Sequence, residues 1–268
     1  MTTAATEVRE IKIAHSPDSD DAFMFYGLAT NKVLNHKAIH EQFYDVSAIS
    51  FGAYPYVQDN YTIMACGGSV GENYGPMVVA SKNYTQDEMK KLRIAVPGSL
   101  TTAYLTLKLF APDVETVTVD FDKIIPAVVS GEFDAGLIIH EGQLTYARDG
   151  LKKIIDLGVW WKEQTGLPLP LGGNAIRRSL GQEVMMVTTN ALRDSIQHAL
   201  DHREAALDYA MQFARDLDTN LANRFVGMYV NERTLNFGND GREAIRKLLD
   251  MGYERGIIPH KADVDFVG

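Results

Sequence analysis

Residues 135–139 read Ala-Gly-Leu-Ile-Ile, an unbroken apolar run set between Gly131-Glu132 and Glu141-Gly142. A run this short and this apolar offers no polar face to water. It predicts a strand covered on both sides in a parallel sheet. In open α/β sheets the ligand sits in the crevice beyond the carboxyl ends of the strands. His140 follows the run directly, so its position alone brings it to that crevice, with the Glu141 carboxylate beside it. A neutral imidazole at a partly dry strand end can accept a proton near neutral pH. The plainer role is a residue that caps the strand or satisfies a neighbouring carbonyl.

Upstream, residues 10–14 alternate as a short strand. They lead through Ser16-Pro17-Asp18-Ser19-Asp20-Asp21 into a helical stretch at 22–28. The three aspartates lack the sixth-position glycine and twelfth-position glutamate of an EF-hand loop. Capping and complementation of the helix dipole is the expectation for them, with the exposed amides still able to face a ligand. Residues 46–51 read as a strand, and 61–65 and 76–80 bracket a glycine-rich loop. No Lys-Ser/Thr ending completes a phosphate-binding loop there, so the glycines read as turns. Residues 92–96 open a second βαβ unit. Pro97-Gly98-Ser99-Leu100-Thr101-Thr102 then leads into a helix over 103–110. Adjacent threonines at a helix start can cap it, and they can also bind an anionic or hydroxyl-rich ligand. Residues 114–119 alternate as a strand and 121–130 read as a helix limited by Pro126.

Residues 156–161 read as a strand-like exit, and the prolines of 167–172 keep that segment extended. Trp160 and Trp161 just before it read as core, with a place in an aromatic pocket as the alternative. From 189 to 216 the apolar spacing is helical, and most of the remainder to 253 follows suit. His198 and His202 stand four apart, but no glutamate lies between them in the zincin pattern and charges surround them. A solvated face is the expectation.

The formal charge of −9 over 268 residues leaves no basic footprint for nucleic acid and disfavours anionic membranes. An anionic small molecule would need local donors, such as helix N-termini and clustered hydroxyls. Cys66 is the single cysteine, so no disulfide can form within the chain and a cysteine-based zinc site is not expected. The first residues have neither a basic nor an apolar region of the secretory kind, and no stretch is long enough to span a bilayer, so a cytoplasmic protein is expected.

Two βαβ-rich lobes, two crossings and a helical C-terminal part resemble an α/β, two-lobed, periplasmic-binding-protein-like fold with a ligand cleft between lobes. Lobe one would take residues 1–91 and 169–268, and lobe two residues 92–168.

Several blocks together resemble the 1,4-dihydroxy-6-naphthoate synthase family, enzymes of the futalosine route to menaquinone. They are Ser16-Pro17 with Asp21 and 23–26; Ile94-Ala95-Val96-Pro97-Gly98 with Thr101-Thr102-Ala103-Tyr104; 135–141 with Thr145-Tyr146; Asp156-Leu157-Gly158 with Trp160-Trp161; and 165–172. The match runs over nearly the whole chain. It implies a cytoplasmic carbon–carbon lyase on a solute-binding fold. The substrate would be the small molecule cyclic dehypoxanthine futalosine, cleaved along a retro-aldol-like path with no metal or redox cofactor. It implies His140 as proton acceptor, Thr101 and Thr102 as ligand contacts at a helix start, and Ser50 as a binding serine at a strand end. The chain departs from the family pattern in four places, one of them Ser99-Leu100 before the threonine pair, which lacks the histidine of some members. Asp18-Ser19-Asp20-Asp21 stands where Cys-Pro-Asn-Asp is frequent. Ala48 stands where some relatives carry a lysine for the substrate carboxylate. Val33 runs directly into Leu34 where a further strand and loop is usual, which reads as a gap in the chain. A non-catalytic solute-binding protein and a chorismate dehydratase-like sibling enzyme are the other readings that the same fold allows.

Overall fold

The computed structural model describes residues 10–15, 18–30, 44–213 and 218–268. The Val33–Leu34 junction and Ser16-Pro17 lie outside the described residues. Among these, eleven strands follow in order: β1 (Ile13–Ala14), β2 (Val46–Ser50), β3 (Tyr61–Met64), β4 (Ser69–Gly71), β5 (Met77–Ala80), β6 (Arg93–Val96), β7 (Glu115–Thr118), β8 (Ala135–Ile138), β9 (Lys152–Asp156), β10 (Leu169–Arg177) and β11 (Phe266–Val267). They form two sheets. The first runs β1-β2-β10-β3-β11 with β4 also on β10, and the second runs β7-β6-β8-β5-β9.

Four residues of the apolar run, Ala135–Ile138, do form a fully buried strand, β8, with Ile139 half-buried just beyond it, but the sheet around it is mixed. β8 is parallel to β6 and antiparallel to β5. Two crossovers make the parallel part. The helix Thr102–Phe110 joins β6 to β7, and the helix Ile124–Val129 joins β7 to β8. Gly136 lets that second helix lie close. A Cβ there would stand 2.5 Å from Ile124 Cγ2, so a larger residue would push the helix off the strand that carries His140.

The expected division at residue 91 falls elsewhere in the structure. β5 belongs to the second sheet, where Val78 and Val79 are fully buried and pair on both edges, with β8 and with β9. The first crossing between sheets therefore lies between Gly71 and Met77. An apolar four-residue strand is stabilised by the sheet that covers both its faces, and nothing local in its sequence names which sheet that is. The chain returns to the first sheet with β10, after the helix Leu157–Thr165. The 156–161 segment is not a strand exit. Asp156 accepts from the amides of Gly158 (2.9 Å) and Val159 (3.3 Å), which caps a helix over Leu157–Thr165.

The helix Ser19–Ala29 is apolar on nearly every side, with Ala22, Phe23, Met24 and Phe25 buried. It packs against the long helix Gln182–Asp201, so its first turn stands at the inter-lobe cleft rather than in solvent. A separate apolar cluster joins the lobes. Leu105, Leu109 and Trp161 from the expected second lobe pack with Phe51, Tyr54 and Phe237 of the first. No described helix is long and apolar enough to cross a membrane.

Candidate active site in the inter-lobe cleft

A cavity of about 360 Å³ opens where the carboxyl end of β8, the end of β2 and the starts of the helices Ser19–Ala29 and Thr102–Phe110 meet. That is the size of a small-molecule pocket. All four residues expected to bear function, Ser50, Thr101, Thr102 and His140, line it, as does Ala48. No lysine or arginine is among its described lining residues, so the vacant lysine position is not replaced by another cation.

His140 sits two residues past the end of β8, after Ile139, on a left-handed backbone with φ 55°. A side chain with a Cβ holds that conformation only where its surroundings over-determine it. They do so here. Its carbonyl accepts from the Gln143 amide at 3.1 Å, the Phe121 ring lies tilted against the imidazole at 5.0 Å, and Asp18 Oδ2 stands 3.5 Å from Nδ1.

The threonine pair is more occupied than its sequence suggests. Thr101 Oγ1 donates to Gly98 O (2.8 Å) and accepts from Tyr104 N (3.1 Å), a helix cap in full use. Thr102 Oγ1 donates to Leu171 O (2.5 Å) and accepts from Gly52 N (3.1 Å), bridging the lobes. What this helix start leaves open is main chain. Among the described residues the amides of Thr102 and Ala103 have no acceptor, and both residues line the cavity. These N–H groups at the positive end of a nine-residue helix can hold an anionic or enolate oxygen. The Ser50 hydroxyl likewise makes no hydrogen bond among the described residues and lines the cavity from the end of β2.

The other end of the cleft is acidic. Asp18, Asp20 and Asp21 line it, and Glu141 is buried close by. The expectation of plain capping fails for Asp18. It occupies the N-cap position of Ser19–Ala29, yet its side chain makes no cap hydrogen bond. Burial, and then the negative charges of Asp21, Asp18 and Glu141, push the Asp20 carboxyl well above the usual carboxylate range. The sign of the consequence follows. In the unfolded chain Asp20 loses its proton near pH 4, while the folded chain keeps it to higher pH. Stability from this group is complete below about pH 4 and is lost as pH rises through the raised value. Asp20→Asn should therefore melt at a higher temperature than the parent at pH 8 and at the same temperature near pH 4. Melting curves across that range check it, and two parallel curves would show that Asp20 does not titrate there.

Asp18, His140 and Glu141 each bring one ligand atom within 4.8 Å of the others, close enough for a divalent cation to be held. Gln143 and Tyr229 were not singled out from sequence. Tyr229 Oη donates to Gln143 Oε1 at 2.7 Å across the cleft floor. Gln143, three residues after His140, could have been found from its spacing on a turn; Tyr229 carries no such signal. Away from the cleft, burial pushes the Cys66 thiol up to about 12, as suits a packed and unreactive cysteine. His198 and His202 stack at 4.1 Å at the C-terminal end of the long helix, and neither is among the cavity's described lining residues.

The family model described as menaquinone biosynthesis matches residues 11–254. A 1,4-dihydroxy-6-naphthoate synthase of Thermus thermophilus is 38% identical over 261 residues, covering 92% of this chain and 95% of that protein. One of Streptomyces coelicolor is 36% identical over 269 residues, covering 93% and 95%. Among solved structures, protein AF1704 from Archaeoglobus fulgidus superposes with a TM-score of 0.87 at 46% identity, over 93% of this chain and 98% of that one. The alkanesulfonate-binding protein from Xanthomonas axonopodis pv. citri superposes with a TM-score of 0.71 at 12% identity, over 97% and 98%. An identity of 12% speaks for fold alone, and that fold is the expected one: α/β, two-lobed and periplasmic-binding-protein-like.

Proposed function

The chain belongs to the menaquinone biosynthesis family, and we propose that it is a carbon–carbon lyase converting cyclic dehypoxanthine futalosine to 1,4-dihydroxy-6-naphthoate, with His140 as general base. The observation that carries this reading is His140 at the end of β8, opening on a cavity that also offers free main-chain donors and the Ser50 hydroxyl. In a retro-aldol cleavage a base removes a hydroxyl proton. The alkoxide collapses to a carbonyl, and the electron pair of the breaking carbon–carbon bond passes into a dienolate that becomes the aromatic product. A neutral imidazole suits the first step. Amides at a helix start, fixed before the charge develops, suit the stabilisation of the second.

Ser50, Thr101 and Thr102 are the proposed substrate contacts. Both threonine hydroxyls and the Thr101 amide are already engaged, so Thr101 meets the substrate as part of the cavity wall and the polar contact comes from the Thr102 and Ala103 amides, on the oxygen where the dienolate charge develops. The reaction belongs in the cytoplasm, where a biosynthetic enzyme of this family meets its small-molecule substrate.

The test is incubation of the purified protein with cyclic dehypoxanthine futalosine, following the naphthoate by absorbance and mass. Product should form, and it should keep forming after dialysis against a chelator, because each step above is assigned to a side chain or an amide. Loss of turnover on chelation that divalent metal restores would move the chemistry to a cation at Asp18, His140 and Glu141. Tight binding with no product would indicate a binding protein.

A further inference from the structure

We propose that Asp18 is a positioning residue for His140, holding the imidazole through Nδ1 so that Nε2 keeps its lone pair toward the substrate. The proposal deepens the reading of His140 as base and rests on it.

The first ground is what Asp18 does not do. Aspartate is favoured at an N-cap because its carboxylate accepts from the second or third helical amide. Asp18 has the extended backbone of a cap, φ −104° and ψ 159°, and its carbonyl accepts the Ala22 amide at 2.9 Å, but its side chain makes no cap bond. The carboxylate has been turned elsewhere. The second ground is where it went. Asp18 is 2% exposed, and its Oδ2 stands 3.5 Å from His140 Nδ1. A carboxylate taken out of water is costly unless donors or a cation meet it. An imidazole that donates from Nδ1 and gains charge as it accepts a proton meets that need in both of its states.

The third ground is how closely the imidazole is held. The left-handed backbone sets the direction of the side chain, and the Phe121 ring lies against it at 5.0 Å. Neither contact chooses which nitrogen carries the proton in the neutral ring. In solution the proton can sit on either, and a base that carries it on the substrate side is idle. A hydrogen-bond acceptor at Nδ1 resolves the choice. Asp20, Asp21 and Glu141 stand near the same end of the cleft, and Asp18 Oδ2 stands at ion-pair distance from Nδ1.

The experiment reads the tautomer directly. Protein labelled with 15N-histidine is examined by long-range proton–nitrogen spectra in EDTA, at a pH where His140 is neutral, with His140→Gln supplying the assignment. The parent should show the Nδ1–H form. Asp18→Asn should show Nε2–H or a mixture, with kcat lower by about a hundredfold and KM within about threefold. Asp18→Glu keeps a carboxylate and should recover the tautomer and a tenfold part of the loss. A parent in the Nε2–H form overturns the proposal without any variant, and so does Asp18→Asn with the parent's tautomer. If the spectra behave as expected and the parent turns over no substrate, the functional reading fails and the role of Asp18 fails with it, while the contact between the two side chains stands.

Discussion

Replacing His140 by alanine is expected to lower turnover of cyclic dehypoxanthine futalosine by about three orders of magnitude, within the range that general acid–base groups supply. That corresponds to about 4 kcal/mol of lost transition-state stabilisation. Binding should stay within about tenfold of the parent. The free amides of Thr102 and Ala103 and the Ser50 hydroxyl are untouched by the change, and the imidazole is one part of a lining of about 360 Å³. A deficit confined to kcat marks an interaction made at the transition state, whereas an equal rise in KM marks uniform binding. Calorimetry with the substrate and steady-state rates separate the two. A variant that binds and turns over like the parent would remove His140 from the chemistry. A variant that no longer binds would make it a ligand contact. Added imidazole, entering the space left by the side chain, should return a measurable part of the rate.

The largest effect on stability is expected at Trp161. Its side chain is fully buried in the cluster that joins the lobes, and its Nε1 donates to the buried Pro168 carbonyl at 3.0 Å. Trp161→Ala removes the indole and leaves a cavity, a change that costs about 4 kcal/mol. Against a typical total of 5–15 kcal/mol this is a large share of what holds the chain folded. Trp161→Phe keeps most of the ring, strands one acceptor and should cost about 1–2 kcal/mol. Urea unfolding of the three chains gives the ordering, and equal midpoints for parent and Trp161→Ala would show that the joining cluster carries little stability. The neighbouring Trp160 is half-buried and meets Phe110 edge-on at 5.4 Å, so its loss should cost less. The ordering has a functional side. Trp161 anchors the helix Leu157–Thr165 to the start of β10, and β10 presents the Leu171 carbonyl to Thr102. Trp161→Phe should keep turnover near the parent's, because this strut across the cleft remains.

Much of the site was legible along the chain because its parts are local. An apolar run of five residues followed by a histidine announces a strand end. Thr101 before an apolar helix announces a cap, and the amides left over are the consequence of any helix start. The prolines of 167–172 keep that crossing extended. These features depend on residues within a turn or two of one another, so the sequence carries them whatever the rest of the chain does. The membership of β5 in the second sheet is a different matter. Its four residues would be equally stable in either sheet as far as their own pattern goes, and the partners on both of its edges arrive from far along the chain.

The same distinction separates the residues of the cleft. Asp18 looked like a cap because a cap is the local use of an aspartate before a helix, and locally nothing argues against it. Only when the chain closes does the carboxylate find His140, and the partner across the cleft outweighs the amide two residues away. Tyr229 and Gln143 meet in the same way, 86 residues apart and with no spacing to link them. The raised Asp20 carboxyl follows from four acids gathered at one dry end, a density that no single stretch of sequence displays. The sequence by itself determined the buried strand before His140, the helix start at the threonine pair and the extended crossing at 167–172, because hydrophobic period and turn chemistry act over a few residues. The tertiary structure decided which strand joined which sheet, which carboxylate came to stand beside His140 and which acid was pushed above the usual carboxylate range, because burial and charge act between whatever groups folding brings together.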